Sequence, residues 1–280
     1  MPELPEVETV CRYLDQHISG ETVKKATINR YELRKGTRIP YNFIPRVEGQ
    51  SIKSVTRRGK YILIHLSKDD VLIAHLGMTG KLLVHETMQP IGKHDHVILE
   101  FASGKELVFS DPRRFGLILL VEENELYDQP MFKDMGIEPL EEGFNGDYLK
   151  AKLSTTKIPV KTALLDQSIV AGLGNIYVCE ALFISGLSPL RPAKEVSLGQ
   201  AKTLVSVIKD LLLKSIAAGG TTFRDYRHSD GKKGEFVSQL LVYGREGQTC
   251  EDCNWKKVCG GVKKISLNGR ATYYCPRKQV

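Results

Sequence analysis

The first segment of the chain has the hydrophobic spacing of an amphipathic helix. Residues 5–18 carry apolar side chains at positions 7, 10, 11, 14 and 18, and this spacing places them on one face of a helix. Pro5 suits the first turn, where a missing N–H group costs no hydrogen bond. We therefore predict a helix over residues 5–18.

The pattern changes to strands from about residue 21 to about residue 123. Short apolar runs such as YILIHL, VLIAHL and HVILEF alternate there with turn sequences such as SKDD and ASGKE. Apolar runs of this length between turn residues are typical of antiparallel strands. This region is predicted to form a sandwich or a barrel.

Helical spacing returns after a connector at about residues 124–146. It covers residues 147–218, whereas residues 221–280 are rich in Gly and Lys and contain the short strand-like pieces FVSQLLVYG, VKKISL and ATYY. The pattern predicts an α+β chain of three parts. They are a β domain at residues 1–130, a helical domain at 131–235 and a small C-terminal region at 236–280.

Composition is that of an ordinary globular protein. The chain has 280 residues, of which 41% are hydrophobic and 26% charged, and it contains no apolar run near the ~20 residues that span a bilayer. Its start has no basic region followed by an apolar core, as a signal peptide would. We expect an intracellular protein with no membrane partner.

The net charge of +7 is concentrated near the C-terminal end. Residues 221–280 hold 12 Lys and Arg against 6 Asp and Glu. A basic segment favours a polyanionic partner, first of all nucleic acid. A basic surface with no partner is the alternative, and charge alone does not separate the two.

Four of the six cysteines are close together in sequence: Cys250, Cys253, Cys259 and Cys275. Without a secretion signal, such a cluster indicates a metal site rather than disulfides. Cys11 and Cys179 stand alone in helix-like sequence and are interpreted as small buried residues.

Pro2 is a candidate nucleophile. Removal of Met1 would make its nitrogen a terminal amine, which titrates near pH ~8 against ~10.4 for lysine. A useful fraction is then unprotonated at neutral pH and can attack a sugar or carbonyl carbon to form an imine. Glu3 and Glu6 are near enough in sequence to transfer protons. The alternative is that a Met-Pro start has no meaning, since such starts are common.

Three further stretches place basic or aromatic residues at the ends of predicted strands. They are RRGK at 57–60, HLGM at 75–78 and SDPRRFG at 110–116. An arginine beside Phe115 suits the opening of a duplex, because the ring can wedge into the base stack while the guanidinium meets a phosphate or an unpaired base. An ordinary surface loop with a half-buried Phe115 is the alternative.

A tight turn separates two helix-like segments in LLDQSIVAGLGNIYVCEALF, residues 164–183. Asn175 is predicted to cap the second helix. Free N–H groups at a helix start can hold a phosphate, and Lys161 is near enough in sequence to assist. A simple helical hairpin is the alternative.

Together these stretches resemble the bacterial formamidopyrimidine-DNA glycosylase family. The motifs MPELPEVE, RRGK, HLGM, KHDH, DPRRFG, AGLGNIY, GGTTFRDY and VYGREG occur in the order of that family and span essentially the whole chain. The related endonuclease VIII branch usually begins differently after Met-Pro-Glu. The sequence Leu4-Pro5-Glu6 therefore favours the branch that acts on oxidised purines.

The resemblance implies a role for each matching residue. Pro2 would attack C1′ of the damaged nucleotide, Glu3 would protonate the opening sugar, Glu6 would support the site and Lys60 would contact phosphates beside the lesion. Met78, Arg113 and Phe115 would fill the gap left by a flipped base. The other implied DNA-binding residues are His94, Arg114, Lys161, Asn175, Arg224 and Arg270. Residues 219–235 resemble the loop that closes over the flipped base, where Arg224 and Tyr226 are particular to this chain.

The resemblance also implies the fold and the activity. The fold would be an N-terminal antiparallel β-sandwich with a flanking helix, a helix–two-turn–helix domain and a zinc-finger-like β-hairpin. The activity would be that of a monomeric, cytoplasmic, nucleoid-associated DNA glycosylase and AP lyase. Its substrates would be double-stranded DNA with 8-oxoguanine opposite cytosine, formamidopyrimidines or abasic sites. Excision of oxidised pyrimidines, or lesion binding without catalysis, are the alternatives.

The C-terminal end departs from the family pattern. Family members end in two Cys-x-x-Cys pairs that bind one structural zinc ion, but here the last position is Lys278, and a protonated lysine cannot bind zinc. In one interpretation Cys259 replaces it, completing a site with Cys250, Cys253 and Cys275. In the other the hairpin holds without metal, packed by Trp255, Val258 and Tyr274.

Overall fold

The structure is a computed structural model that describes residues 2–34, 36–221, 236–250, 253 and 260–280. The described residues fall into two compact units. The first contains the residues up to Lys133 together with residues 218–221, and the second contains Asp134–Ala217 with the described residues from Phe236 onwards.

The first unit is mainly β structure. Its helices are α1 (Leu4–Ile18), α2 (Phe43–Val47) and α3 (Pro130–Lys133), with a 3₁₀ turn at Glu123–Asp128. Its strands are β1 (Val23–Ile28), β2 (Glu32–Arg34), β3 (Thr37–Arg38), β4 (Ile52–Arg58), β5 (Tyr61–Leu66), β6 (Asp70–His75), β7 (Lys81–His85), β8 (Asp95–Phe101), β9 (Glu106–Ser110) and β10 (Leu117–Glu122).

Eight of these strands form two antiparallel sheets, with the orders β1-β8-β9-β7 and β10-β6-β5-β4. Buried side chains of both sheets and of α1 belong to one apolar cluster, which includes Leu14, Ile64 and Phe109. The predicted β-sandwich with its flanking helix is therefore confirmed. The strand pattern is interrupted at α2, where Phe43 and Val47 are both fully buried. Because they are four residues apart, one helical turn directs both into the core.

The second unit is mainly helical. It contains α4 (Gly146–Ser154), α5 (Val160–Leu164), α6 (Asn175–Ile184) and α7 (Leu198–Ala217), with 3₁₀ turns at Ala193–Glu195 and Phe236–Gln239. Strands β11 (Lys263–Leu267) and β12 (Arg270–Tyr274) form an antiparallel hairpin. The helices predicted within residues 147–218 and the C-terminal hairpin are confirmed.

A two-residue turn of Asn268 and Gly269 closes this hairpin. Leu267 and Arg270 are paired on either side of it, and both turn residues have positive φ, 49° and 72°. This combination is typical of the type I′ turn, which fits the twist of antiparallel strands. The turn therefore fixes the position of Arg270 at the start of β12.

The predicted strand in FVSQLLVYG is wrong. Phe236–Gln239 is a 3₁₀ turn, and the backbone N–H groups of Leu241, Val242 and Tyr243 donate to the carboxylate of Glu180 at 2.7–2.9 Å. A side chain of α6 thus takes the hydrogen bonds that a neighbouring strand would have supplied.

Candidate functional site

Several loops of the first unit meet at one end of the strands in its two sheets, which is called the sheet edge below. The strand register places the end of β6 beside the starts of β5 and β10, since His75 is paired with both Tyr61 and Leu117. In the other sheet the end of β9 lies beside the starts of β7 and β8. This edge therefore carries the turn before Tyr61, the loops at 76–80 and 111–116, and the loop that precedes β8.

Asp111 joins two of these loops. Its fully buried carboxylate accepts hydrogen bonds from the hydroxyl of Thr79 at 2.6 Å and from the backbone N–H groups of Arg113 and Gly116 at 3.2 and 2.8 Å. Hydrogen bonds to an ionised acceptor are stronger than neutral ones. The loops at 76–80 and 111–116 are therefore held in fixed relative positions.

The backbones of the same two loops touch at Gly77. A Cβ atom at this position would lie 2.6 Å from the carbonyl carbon of Phe115, and the φ of Gly77 is +60°. Both the contact and the left-handed conformation exclude a side chain. The glycine of the HLGM motif is thus required by the close approach of the second loop.

Met78, Arg113 and Phe115 are brought together on these loops. Met78 and Phe115 keep 41% and 46% of their surface exposed although both are large and apolar. The guanidinium carbon of Arg113 lies 4.8 Å from the centre of the Phe115 ring, within the range of a cation–π contact. Arg114, which is also exposed, has a positive φ of 58°. The structure thus presents apolar and cationic groups to solvent at one point.

His94 lies beside this group. Its side chain is exposed, and its backbone carbonyl accepts a hydrogen bond from the N–H group of Asp111 at 3.0 Å. The first histidine of the KHDH motif is therefore attached to the same loop that carries Arg113 and Phe115.

The start of α1 carries the predicted catalytic residues. Pro2 is buried, and Glu3 and Glu6 are only 4% and 2% exposed. One carboxylate oxygen of Glu6 accepts the backbone N–H of Glu3 at 2.8 Å, and the other accepts that of Thr221 at 2.7 Å. Glu6 therefore fixes the backbone next to Pro2 and attaches it to residues 218–221.

Gly220 packs directly on this carboxylate. A Cβ atom at this position would lie 3.1 Å from a carboxylate oxygen of Glu6, and its φ is +80°. A side chain at this position would therefore be strained and would press on Glu6. Residues Arg224 and Tyr226 of the predicted lesion loop lie outside the described residues.

Lys60 is the last residue of the turn between β4 and β5. Gly59 has a φ of +57° there, and Lys60 is only 9% exposed. The register places this turn at the edge described above, because Tyr61 is paired with Arg58 on one side and with His75 on the other. Lys60 thus shares its sheet edge with the exposed loops of Met78 and Phe115.

In the second unit Lys161 differs from expectation. It is 1% exposed, and its ammonium group donates to the carbonyl of Ala271 at 3.1 Å and to the hydroxyl of Thr272 at 2.7 Å. Lys161 thus anchors the C-terminal hairpin to α5 from inside the second unit, and its contact with a phosphate stays a prediction. Its aliphatic stem suits burial while its charge is hydrogen-bonded.

Asn175 also differs from the predicted cap. The residue that caps α6 is Gly174, and Asn175 is the first helical residue. Its side-chain amide donates to the carbonyl of Ala271 at 2.8 Å. Because Lys161 and Asn175 both hold Ala271, the start of α6 and the exposed Arg270 at the start of β12 keep a fixed separation.

Three cysteines of the second unit form a buried cluster. The Sγ atoms of Cys250, Cys253 and Cys275 all lie within 4.8 Å of one another, with that of Cys275 at 3.4 and 3.5 Å from the other two. A tetrahedral zinc ion with Zn–S bonds of ~2.3 Å separates its sulfur ligands by about 3.8 Å. The three thiols therefore fit three corners of a metal site.

Lys278, which stands where the family has its fourth zinc-binding cysteine, makes a different contact. Lys278 places its ammonium nitrogen 4.3 Å from the centre of the Phe183 ring, a cation–π contact. Phe183 belongs to the same apolar cluster as the three cysteines. Cys259, the predicted replacement ligand, lies outside the described residues, as do Trp255 and Val258.

Some residues that organise the site were not identified from sequence. Asp111 stands within the quoted SDPRRFG stretch, and its position after a strand and before a turn was the available signal. Arg57 stands within the quoted RRGK stretch, near the end of a strand and before a turn, which was the same kind of signal. Glu180 gave no local signal, because its partners lie about 60 residues further along the chain.

Family models match most of the chain. Residues 1–118 match the formamidopyrimidine-DNA glycosylase N-terminal domain, and residues 135–227 match the formamidopyrimidine-DNA glycosylase H2TH domain. The formamidopyrimidine-DNA glycosylases of Dinoroseobacter shibae and Rhodospirillum rubrum are similar to the chain, with 44% and 43% identity over 100% of each pair of chains.

Solved structures of a Lactococcus lactis relative show the same fold. The wild-type enzyme in complex with DNA that contains N7-benzyl-Fapy-dG superposes with a TM-score of 0.89 at 33% identity, covering 99% of both chains. The same relative with DNA that contains an abasic site gives a TM-score of 0.88 over the same share. By sequence along its whole length and by fold, the chain belongs to the formamidopyrimidine-DNA glycosylase family.

Proposed function

We propose that the chain is a bifunctional DNA glycosylase and AP lyase of base excision repair that removes 8-oxoguanine opposite cytosine and formamidopyrimidines. The observation that carries the proposal is the start of α1, where Pro2, Glu3 and Glu6 are buried together and Glu6 fixes the backbone. The names of the relatives and the lesion-containing DNA bound by the Lactococcus protein support the same substrate class.

The mechanism begins at the Pro2 nitrogen, a secondary amine once Met1 is removed. It attacks C1′ of the damaged nucleotide while the bond from C1′ to the base breaks, and the base leaves with the bonding electrons and takes up the proton that the amine releases. Glu3 gives a proton to the ring oxygen of the opening sugar. The product is a positively charged imine that joins Pro2 to the sugar. This imine acidifies the adjacent sugar carbon, so that both flanking phosphates are eliminated and the strand is cut.

The loops at the sheet edge serve to hold the opened duplex. A base inside the stack cannot be reached, and flipping it costs a few kcal/mol. Met78 and Phe115 fill the gap with apolar surface, and Arg113 faces the cytosine left without a partner. Their exposure on loops that Asp111 fixes supports this role. A preformed wedge loses little conformational entropy when it enters the stack.

Phosphate contacts are assigned to cations placed around these groups. Lys60, His94 and Arg114 belong to the first unit and Arg270 to the second. Arg224 is assigned only by its place in the segment 219–235, which resembles the loop of the family that closes over the flipped base. Such contacts fix the register of the enzyme on DNA without reading its sequence.

We propose zinc as the metal of the cysteine cluster. The metal would be bound by the thiolates of Cys250, Cys253 and Cys275. Cys259 would be the fourth ligand, because Lys278 stands at the position of the usual fourth cysteine. The burial and spacing of the three thiols support this assignment. When bound, zinc supplies a structural link between the segment at 250–253 and β12, and thus a firm base for Arg270.

Trapping with borohydride tests the proposed chemistry. Untagged protein is incubated with a duplex that contains 8-oxoguanine opposite cytosine, and borohydride reduces the imine to a stable covalent complex. We expect a protein–DNA band that Pro2→Gly abolishes or greatly weakens. Pro5→Ala, which leaves Pro2 in place, should keep the band. A band of wild-type strength in Pro2→Gly would contradict the role of Pro2.

Two rival functions give different results in the same assay. An enzyme for oxidised pyrimidines would excise thymine glycol faster than 8-oxoguanine. A non-catalytic lesion-binding protein would retain the duplex and give no band. The burial of Pro2 beside two glutamates favours catalysis over binding alone.

The proposed setting is the bacterial cytoplasm, with the enzyme acting as a monomer on chromosomal DNA. The relatives are bacterial proteins. None of the helices in the described part of the chain is long and apolar enough to cross a bilayer.

A further inference from the structure

Glu8 connects α1 to the turn that precedes Lys60. Its carboxylate accepts hydrogen bonds from Arg12 at 2.7 Å and from Arg57 at 3.0 Å. The Arg57 side chain is 9% exposed, whereas that of Arg12 is 66% exposed. Of these two ion pairs, only the pair of Glu8 and Arg57 is thus shielded from solvent. Salt screens such a shielded pair less than an exposed one.

Arg57 makes a second contact that Arg12 does not make. One terminal nitrogen of its guanidinium donates to the carbonyl of Gly59 at 2.9 Å. That carbonyl belongs to the peptide bond between Gly59 and Lys60, which is planar. A hydrogen bond to its oxygen therefore fixes the orientation of the backbone from which the Lys60 side chain begins.

The two contacts use the fork geometry of one guanidinium. Its Nε binds Glu8 on α1, and its terminal nitrogen binds the Gly59 carbonyl. The guanidinium is planar and rigid, so the two bonds share one fixed geometry. The helix that starts beside Pro2 and the turn that ends at Lys60 are thereby held by a single side chain.

We infer that Arg57 and Glu8 are positioning residues for Lys60, setting its ammonium group at a fixed distance from the start of α1. The inference rests on the proposed function, in which Pro2 attacks the sugar and Lys60 holds a phosphate beside it. An enzyme that attacks C1′ gains rate when the sugar and its phosphates are held in register with the nucleophile.

The salt dependence of DNA binding tests this inference. The dissociation constant of a duplex with a tetrahydrofuran abasic analogue is measured at several salt concentrations. Each phosphate contact contributes about 0.9 to the slope of log K against log salt. Lys60→Ala is expected to lower the magnitude of this negative slope by about this amount. Arg57→Gln should lower it equally, and the double variant should lower it no further.

A matched control and a conservative variant separate position from charge. Arg12→Gln removes the other cation on Glu8 without touching Gly59, and its slope should equal that of the wild type. Arg57→Lys keeps the charge but loses the two-nitrogen geometry of the guanidinium. Its slope should therefore equal that of Arg57→Gln. A wild-type slope in Arg57→Lys, or an additive loss in the double variant, would overturn the inference. Additivity would mean that Arg57 binds a phosphate itself.

The outcomes also distinguish the inference from the function on which it rests. If Lys60→Ala leaves the slope unchanged, the proposed phosphate contact of Lys60 is wrong. If Lys60→Ala lowers it and Arg57→Gln does not, the positioning role is wrong and the proposed function stands. Thermal unfolding of each variant confirms folding at the assay temperature. Should Arg57→Gln not fold, Glu8→Gln replaces it, and an unchanged slope in Glu8→Gln overturns the inference.

Discussion

Glu8 carries a charge that depends on two arginines. Burial on its own raises the pKa of Glu8, but the hydrogen bonds and charges of Arg12 and Arg57 outweigh it and hold the pKa below its ordinary value of 4.5. The folded protein therefore binds this proton less tightly than the unfolded chain does. The resulting stabilisation is complete above pH ~4.5 and is lost as the pH falls through the lower pKa of the folded state.

Replacing Glu8 should therefore change the acid limb of the stability profile. Glu8→Gln is expected to lower the free energy of unfolding at neutral pH and to make it fall less steeply below pH ~4.5. Urea unfolding at a series of pH values measures both. Parallel curves for the two proteins would show that the ion pairs of Glu8 add no pH-dependent stability.

Gly220 offers a second test at single-residue scale. Gly220→Ala should cost about 1–2 kcal/mol because φ is positive, and it should also displace Glu6 and slow imine formation. Gly20→Ala is the matched control, because Gly20 has a φ of +86° with nothing within 4 Å of an added Cβ. Thermal unfolding and single-turnover trapping report the two effects. Equal trapping rates in both variants would contradict the role of the Glu6 contact.

The grouping of the three residues proposed as catalytic could be predicted from sequence because it is local. Pro2 and Glu3 directly precede α1 and Glu6 lies in its first turn, so that their proximity follows from the start of the helix. The buried contacts of Lys161 could not be predicted for the opposite reason. Its partner Thr272 is 111 positions away, and no local pattern indicates that a lysine will be buried against a hairpin.

Elements show the same division between local and distant determinants. The helix α1 and the strands of the first unit follow from the period of their apolar residues, because one face of each packs on a common core. The segment after Phe236 has strand-like spacing but is not a strand. Its conformation is set by Glu180 on α6, a partner that the segment does not contain.

The clamp made by Glu180 should matter for the second unit. Burial raises the pKa of Glu180, against the lowering effect of the N–H groups of Leu241, Tyr243 and Val242. Glu180→Ala leaves these groups without their acceptor and is expected to cost about 2–3 kcal/mol. Glu180→Gln keeps one carbonyl oxygen and should cost less. Urea unfolding gives both values, and equal losses would show that the hydrogen bonds are not what stabilises this segment.

At the scale of the whole molecule, the β unit is proposed to carry the chemistry, and the stability of the helical unit is proposed to depend on metal. Cys275→Ser should lower the zinc content of the purified protein and weaken DNA binding, since Arg270 on β12 would lose its base. Cys179→Ala is the control, because Cys179 is buried in the same cluster but lies outside the three-thiol group. Elemental analysis gives the zinc content. Full zinc in Cys275→Ser would rule out the proposed site, and Cys259→Ser tests the fourth ligand in the same way.

The exposed Met78 side chain has a chemical consequence for the enzyme. Its thioether lies at the surface of the loop proposed to enter the duplex, with 41% of the residue accessible. Oxidants convert accessible methionine to a polar, chiral sulfoxide. The agents that create oxidised guanine thus also reach the side chain proposed to fill the gap after a base is flipped. Repair capacity would then decline under severe oxidative stress and recover only when the sulfoxide is reduced.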